Sequence, residues 1–242
     1  MADYRFAMPD VEFKDLCIDA TVGGDGPHDV ASFWAVALGE QVVERKGHYY
    51  LELPDGPRSR VVWINEVPEA ITTKSRVHID VRLADGDPAP LVAAGGTVER
   101  PPGTDPWWVL HDPHGVPVCV FGPHPAAPAT LGPFELVVDS VDPARIAAWW
   151  AERTGGTVGT RAGTSFAWVE GAAGFPYMFW VFTAVPEPKT AKNRVHWDVR
   201  LVDGTLDSLV AAGATMLREQ DDDIGWWVMT DPEGNEFCVF SR

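Results

Sequence analysis

The sequence predicts an α+β protein that consists of two tandem copies of one domain, each a doubled βαβββ unit. Nearly the same string, Arg-Val-His-x-Asp-Val-Arg-Leu, begins at Arg76 and again 118 residues later at Arg194. Downstream motifs return in the same order, with Trp107-Trp108 matched by Trp226-Trp227 after 119 residues. Within each copy, alternating strands and amphipathic helices follow the order strand, helix, three strands, and that order then repeats.

The composition predicts a water-soluble chain. It has 242 residues, of which 45% are hydrophobic, and no apolar run approaches the roughly 18 residues of a membrane-spanning helix. A formal net charge of −16 argues against nucleic acid or an anionic membrane as partner. Three cysteines without a C-x-x-C spacing suit a reducing compartment, so we expect a cytoplasmic monomer or homodimer.

The first copy opens with a strand at 15–22, and residues 1–14, which show no period, are interpreted as a tail. Apolar residues at three-and-four spacing predict a helix over 29–38, closed by Gly39. Strands then follow at 41–45, 49–53 and 60–65, with a turn at 54–57. The second half adds the repeated string, a helix at 90–94, and strands at 97–99, 107–111 and 118–121.

The second copy repeats this order. Asp142-Pro143 starts its first helix, with Trp149 and Trp150 on the apolar side, and strands are predicted at 157–160, 166–169 and 177–182. A segment rich in proline and alanine, 123–130, separates the copies. The predicted boundaries are therefore 12–122 for the first domain, 123–130 for the linker and 131–242 for the second domain.

Three motifs carry a family resemblance: Asp139-Ser-Val-Asp-Pro143, the string 192–198, and Asp231-Pro-Glu-Gly-Asn235 with the strand that follows it. The last forms a turn in which proline presets φ and Gly234 tolerates positive φ. The first copy has the looser version Asp112-Pro-His-Gly-Val116, which we expect to specify its turn less well. With these motifs the chain resembles the vicinal oxygen chelate superfamily, and within it the tandem glyoxalase-like domains of bacteria.

The resemblance implies that each domain pairs two βαβββ modules into an open eight-stranded cup around a ligand. In enzymes of the superfamily a divalent metal lies in the cup, held by the first, fifth and eighth strands. His78 and His196 align with the ligand histidine of the fifth strand. The eighth-strand glutamate is replaced by Cys119 and Cys238.

The first-strand ligand position is Glu135 in the second copy and Asp15 in the first. Glu236, whose counterpart is Pro117, offers a further carboxylate in the second copy. The metal set that the resemblance suggests for zinc, iron or manganese is therefore Glu135, His196, Glu236 and Cys238. A thiol inside an apolar strand resists ionisation, so we expect no stoichiometric metal.

Other repeated residues suggest a binding site. Each tryptophan pair, Trp107-Trp108 and Trp226-Trp227, should place one ring in the cup and one against a helix. Arg194 shares a strand face with His196 and either clamps an anionic ligand or pairs with a repeated aspartate. The four histidines without a histidine counterpart are expected at the surface: His28, His111, His114 and His124.

Two functions follow from the resemblance. The leading hypothesis is a protein that binds a small apolar or aromatic metabolite or antibiotic in an aromatic-lined cup, without a metal. Its expected ligand-binding residues are His78, His196, Trp107, Trp108, Trp226, Trp227 and Arg194. The alternative is a metal-dependent lyase, isomerase or dioxygenase with its site in the second domain.

Overall fold

A computed structural model of the chain describes residues 8–22, 26–53, 61–124 and 131–242. The predicted turn at 54–57 and most of the linker 123–130 lie outside these ranges. The helices are α1 (Pro27–Leu38), α2 (Ala89–Ala93), α3 (Pro143–Thr154) and α4 (Leu206–Ala211). The strands of the first repeat are β1 (Val11–Thr21), β2 (Gln41–Arg45), β3 (His48–Glu52), β4 (Val62–Val67), β5 (Val77–Arg82), β6 (Thr97–Arg100), β7 (Trp108–His111) and β8 (Pro117–Phe121). Those of the second are β9 (Gly132–Ser140), β10 (Thr157–Thr160), β11 (Phe166–Glu170), β12 (Phe179–Ala184), β13 (Val195–Leu201), β14 (Thr215–Arg218), β15 (Trp227–Thr230) and β16 (Glu236–Phe240).

The strands form two open eight-stranded mixed sheets, each assembled from two βαβββ modules, which confirms the predicted α+β fold class. One sheet, called here the terminal sheet, joins β1–β4 to β13–β16 in the order β14-β15-β16-β13-β1-β4-β3-β2. The other, the middle sheet, joins β5–β8 to β9–β12 in the order β10-β11-β12-β9-β5-β8-β7-β6. Among the described ranges no helix is long and apolar enough to cross a membrane.

The partition of strands differs from the expectation that each repeat closes a cup of its own. β1 pairs antiparallel with β13 of the other repeat, and β5 pairs antiparallel with β9. Every sheet therefore takes one module from each repeat. The two copies of each module type are alike, so the same strand edge is offered by both, and the sequence repeat does not decide which copy pairs with which.

The first strand starts before the predicted boundary. Val11 and Phe13 are 1% and 4% exposed and pair with Leu201 and Val199 of β13. They alternate with Glu12 and Lys14, whose side chains are partly exposed. The interpretation of residues 1–14 as a tail is thus wrong from Val11 onward, because a two-residue alternation was too short to recognise there.

The first helix of each repeat contacts the second half of the same repeat, although the strands of the two halves belong to different sheets. The indole N–H of Trp34 on α1 donates to Asp112 Oδ2 at 2.9 Å, and that of Trp150 on α3 donates to Asp231 Oδ2 at 3.1 Å. In both repeats the first helix is therefore bonded to the turn that precedes the last strand. Fully buried aromatic side chains, including Trp180 and Trp197, fill the core beside α3.

Both turns are built in the same way. Asp231 Oδ1 accepts the backbone N–H groups of Glu233 and Asn235, each at 2.9 Å. Asp112 Oδ1 accepts those of His114 and Val116 at 2.9 and 2.8 Å. The looser motif of the first repeat thus forms the same turn, because the aspartate and the positive-φ glycine supply what the backbone needs.

Candidate functional site

The middle sheet encloses a cavity of about 820 Å³. Its walls are largely aromatic and aliphatic, and the ring of Trp107 stacks on that of Phe121 with centroids 5.0 Å apart. Phe166, Trp168 and Phe179 form the opposite wall, with Phe166 and Phe179 each packed against Trp168. This volume and lining suit a drug-sized organic molecule.

The lining also contains charged residues, among them Lys74, Arg100 and Arg161. Four of its polar side chains form one cluster on adjacent strands: His78, Asp80, Cys119 and Glu135. His78 and Asp80 lie two residues apart on β5 and so face the same side of the sheet. Asp80 is in register with Cys119 on β8 and with Glu135 on β9. Glu135 belongs to the second repeat, so this cluster exists only because the modules of the two repeats are combined.

Three of these residues could hold a metal ion. The ligand atoms of His78, Asp80 and Cys119 all lie within 4.8 Å of one another, and His78 Nε2 is 3.3 Å from Asp80 Oδ1. Asp80 Oδ1 is buried without a hydrogen-bond partner. Imidazole, carboxylate and thiolate together form a donor set that zinc and iron accept, so the residues fit such an ion.

Burial changes the protonation of the cluster. The pKa of Glu135 rises to about 8 because the side chain is buried and because Asp80 lies beside it with its charge and a hydrogen bond. The pKa of the Cys119 thiol rises well above its usual value, mainly through burial and then through the charge of Asp80. Without a cation, this cluster therefore holds a protonated carboxyl group and a neutral thiol at neutral pH.

The terminal sheet carries the equivalent residues in a different electrostatic setting. Asp15 is in register with Asp198, as Glu135 is with Asp80. The Lys14 ammonium forms an ion pair with Asp15 and lies 3.9 Å from Asp198 Oδ2. Lys192 pairs with Asp19 at 2.6 Å, as Lys74 pairs with Asp139 at 2.8 Å in the middle sheet. The two settings thus differ at Lys14, which lies beside the facing pair Asp15 and Asp198.

His196 and Cys238 are buried within this lysine-rich arrangement. Burial lowers the pKa of His196 and raises that of the Cys238 thiol. The pKa of Asp198 rises to about 7, with burial as the main cause and Lys14 opposing it. Asp198 also accepts a hydrogen bond from the Cys17 thiol at 3.7 Å.

The suggested metal set Glu135, His196, Glu236 and Cys238 is not brought together. Glu135 lies on β9 of the middle sheet and lines its cavity, whereas the other three residues belong to strands of the terminal sheet. Glu236 is engaged already, since its Oε1 accepts from Lys189 Nζ at 2.6 Å and its Oε2 accepts the backbone N–H of Asn193. The exchange of modules between the repeats explains why counting along one repeat selected ligands of two different sites.

The tryptophan pairs divide between two environments. Trp107 lines the cavity of the middle sheet, whereas Trp108 packs against the hydrophobic core. In the terminal sheet Trp226 stacks on Phe240 with centroids 5.5 Å apart, and Trp227 packs against the core. Only one of the four predicted tryptophans therefore lines the large cavity.

Arg194 lies away from that cavity. It donates to the backbone carbonyl of Glu69, and it lines a separate cleft of about 730 Å³ between residues 69–76 and 187–194. Its counterpart Arg76 donates to the carbonyls of Glu187 and Asp139 at 2.7 and 3.0 Å. Both arginines thus join the two repeats through backbone groups, and among the described residues neither forms the ion pair with a repeated aspartate that was one of the two alternatives.

Sequence reasoning missed several residues of the cavity. Asp80 and the aromatic wall of β11 and β12 are not among the binding residues that the sequence predicts. His111, expected at the surface, lines the cavity, and His114 accepts the backbone N–H of Thr21 at 3.0 Å. The alternation of Phe166 with Trp168 was the available signal, since both point to one face of a strand.

Comparison with known proteins agrees with this architecture. The family model of a glyoxalase-like domain matches residues 15–121 and again 135–240. The chain belongs to the glyoxalase-like family. No curated protein sequence matches it.

Solved structures show the same fold at low sequence identity. Glyoxalase I from Zea mays is 13% identical with a TM-score of 0.63, over 96% of this chain and 92% of that one. A point mutant of the same maize enzyme gives a TM-score of 0.65 at 13% identity, over 98% and 94%.

Proposed function

We propose that the protein binds a small, largely aromatic or apolar molecule, such as a metabolite or an antibiotic, in the cavity of the middle sheet. The observation that carries this proposal is the 820 Å³ cavity with aromatic walls and a compact polar cluster. Apolar walls supply the free energy of binding, and a few polar groups fix the orientation of a ligand. His78, Trp107 and Glu135 are the residues of the two repeats that we expect to contact it.

A neutral fluorescent probe tests this function. N-phenyl-1-naphthylamine should bind the purified protein, and the Trp107→Ala variant should bind it about tenfold more weakly, since truncating an aromatic anchor costs a kcal/mol or more. Trp226→Ala is the matched control, because Trp226 holds the equivalent position in the terminal sheet. Equal losses of probe affinity in both variants, or an unchanged probe affinity in Trp107→Ala, would contradict the assignment of the site.

A second function, metal-dependent catalysis of the lyase, isomerase or dioxygenase type, is favoured by the three donor atoms within 4.8 Å of one another. His78, Asp80 and Cys119 would hold the ion, which would polarise a ligand oxygen as a Lewis acid. This proposal moves the site from the second domain, where the sequence suggested it, to the middle sheet. Glu135, beside Asp80, would be the neighbouring proton acceptor or donor.

Elemental analysis decides between the two functions. Protein prepared without a metal-chelating tag is measured together with its His78→Ala and His196→Ala variants. One equivalent of zinc, iron or manganese that disappears only in His78→Ala would establish the metal site. Metal lost only in His196→Ala would place the metal site in the terminal sheet instead. If the protein contains no metal and still binds the probe, the binding function is supported and metal-dependent catalysis is not.

A further inference from the structure

Each sheet places two acidic side chains next to each other on neighbouring strands, and the two sheets differ in whether a lysine lies beside that pair. In the terminal sheet Asp15 faces Asp198, and in the middle sheet Glu135 faces Asp80. The Lys14 ammonium forms an ion pair with Asp15 and lies 3.9 Å from Asp198 Oδ2 in the first pair. Among the described residues, the only basic side chain recorded within 4.0 Å of an acidic oxygen in the second pair is His78.

The difference arises at one position of the strand. Lys14 and Phe134 each immediately precede the acidic residue, at the point where the register of the antiparallel pair shifts. Such a β-bulge redirects a side chain relative to its neighbours. In the terminal sheet the bulge residue is a lysine that reaches the two carboxylates, whereas in the middle sheet it is a phenylalanine that packs on Phe121 with centroids 5.3 Å apart.

The surroundings of the Lys14 ammonium are also present in the middle sheet. Lys14 Nζ lies 4.2 Å from the ring centroid of Phe240, on which Trp226 stacks. The equivalent residues Phe121 and Trp107 stack in the same way and line the cavity. A cation that enters the cavity would therefore meet two acidic groups and an aromatic face, which together favour an ammonium group.

One more observation favours a ligand in the middle site. Asp80 is 6% exposed and lines the cavity, and its Oδ1 has no hydrogen-bond partner although His78 Nε2 lies 3.3 Å away. A buried carboxylate oxygen without a hydrogen bond costs free energy that a donor from a ligand would recover. The Arg82 guanidinium on β5 lies over the Phe134 ring at 4.0 Å, and its charge opposes the rise in the pKa of Glu135 without an ion pair of 4.0 Å or less to Asp80 or Glu135 among the described residues.

We propose that the middle cavity selects organic ammonium compounds, whose charged nitrogen takes the place between Glu135 and Asp80 that the Lys14 ammonium holds in the terminal sheet. The aromatic walls hold the body of the same molecule. This inference rests on the proposed binding function and names its ligand class. The proposed ligand is an organic cation. Binding of a divalent metal ion in place of an ammonium compound would therefore count against the proposal.

Three small probes of similar shape test the charge preference: phenethylammonium, 2-phenylethanol and phenylacetate. Calorimetric titration at neutral pH should give an affinity for phenethylammonium at least about tenfold above that for 2-phenylethanol, because a charge-assisted hydrogen bond is stronger than a neutral one. Phenylacetate should bind most weakly. Equal affinities for the alcohol and the ammonium would overturn the inference while the binding function stands, and failure of all three to bind would count against both.

Two variants place the preference at the proposed atoms. Phe134→Lys installs the lysine of the terminal sheet and should remove the preference for phenethylammonium by filling its position. Glu135→Gln keeps the size of the side chain and should reduce the preference about tenfold, which covers the case in which Phe134→Lys does not fold. Glu219→Gln, an exposed change elsewhere, is the control. An unchanged preference in Glu135→Gln, or Zn²⁺ binding without any ammonium binding, would refute the proposal.

Discussion

The terminal and middle sheets contain the same facing acidic pair, the same histidine and the same eighth-strand cysteine, yet only in the terminal sheet is the pair joined by a lysine. Lys14 and Lys189 form ion pairs with Asp15 and Glu236 there. Phe134 and Ile71 stand at the positions of Lys14 and Lys189 in the middle sheet. The facing acids Glu135 and Asp80 thus lack a counterpart of the Lys14 ammonium, whereas Lys74 keeps with Asp139 the ion pair that Lys192 forms with Asp19.

The largest effect that tests this comparison is expected from Lys14→Leu. Removal of the ammonium leaves Asp15 and Asp198 buried without their cation, which should lower the free energy of unfolding by about 3 kcal/mol at pH 8. Urea denaturation measures the loss. It should shrink toward pH 5, because the raised pKa of Asp198, about 7, lets that carboxyl group become neutral at lower pH. A loss below about 1 kcal/mol at pH 8 would show that the lysine does not compensate the pair.

The elements of the fold were largely readable from the sequence. Strands such as β2 and β10 lie where alternation predicted them, and the Asp-Pro-x-Gly turns form as their residue types require. The pairing of the sheets was not readable, because a repeat shows which segments are alike and says nothing about which copy a strand edge meets. For this reason the sequence grouped Glu135 with His196, whereas the structure places it with His78.

The electrostatic difference between the sheets had a signal that a search for ligand residues does not detect. Lys14 and Phe134 precede the aligned acids, and neither is a metal ligand or a catalytic type. A comparison of the two copies position by position would have shown a lysine replaced by an aromatic residue. Its meaning depends on the β-bulge that turns the side chain toward the acids, and a bulge leaves no clear mark in the sequence.

A second prediction concerns the acidic pair of the middle sheet. The folded-state pKa of Glu135 is raised from 4.5 to about 8, so the folded protein keeps a proton that the unfolded chain releases. Stability should therefore fall as the pH rises through this window. Glu135→Gln cannot titrate, and between pH 5 and pH 8 we expect it to lose about 2 kcal/mol less than the unmodified protein.

Urea denaturation at several pH values measures this difference. Glu219→Gln should retain the pH dependence of the unmodified protein, since its side chain is exposed. Parallel pH profiles for Glu135→Gln and the unmodified protein would mean that the facing carboxyl groups of the middle sheet do not share a proton, and the contrast with the lysine-compensated pair would lose its basis.

The smallest predicted effect lies in the turns before the last strands. Asn235 donates to Asp231 Oδ2 at 3.0 Å and accepts from Asn193 Nδ2 at 3.0 Å. In the middle sheet these asparagines are replaced by Val116 and Ser75, and the Ser75 hydroxyl donates to the carbonyl of Val77 instead. Asn235→Val should destabilise the protein by about 1.5 kcal/mol, because it leaves the buried Asn193 amide without its acceptor.

The double variant Asn235→Val with Asn193→Ser installs the pair of the middle sheet and should cost less than the sum of the two single changes. We expect a coupling free energy of about 1 kcal/mol in a double-mutant cycle measured by thermal or urea unfolding. Coupling of this size would show that the two asparagines stabilise the turn of the terminal sheet as a pair. Additive losses would mean that the shared aspartate and glycine alone specify both turns, and that the asparagine pair contributes nothing beyond its separate contacts.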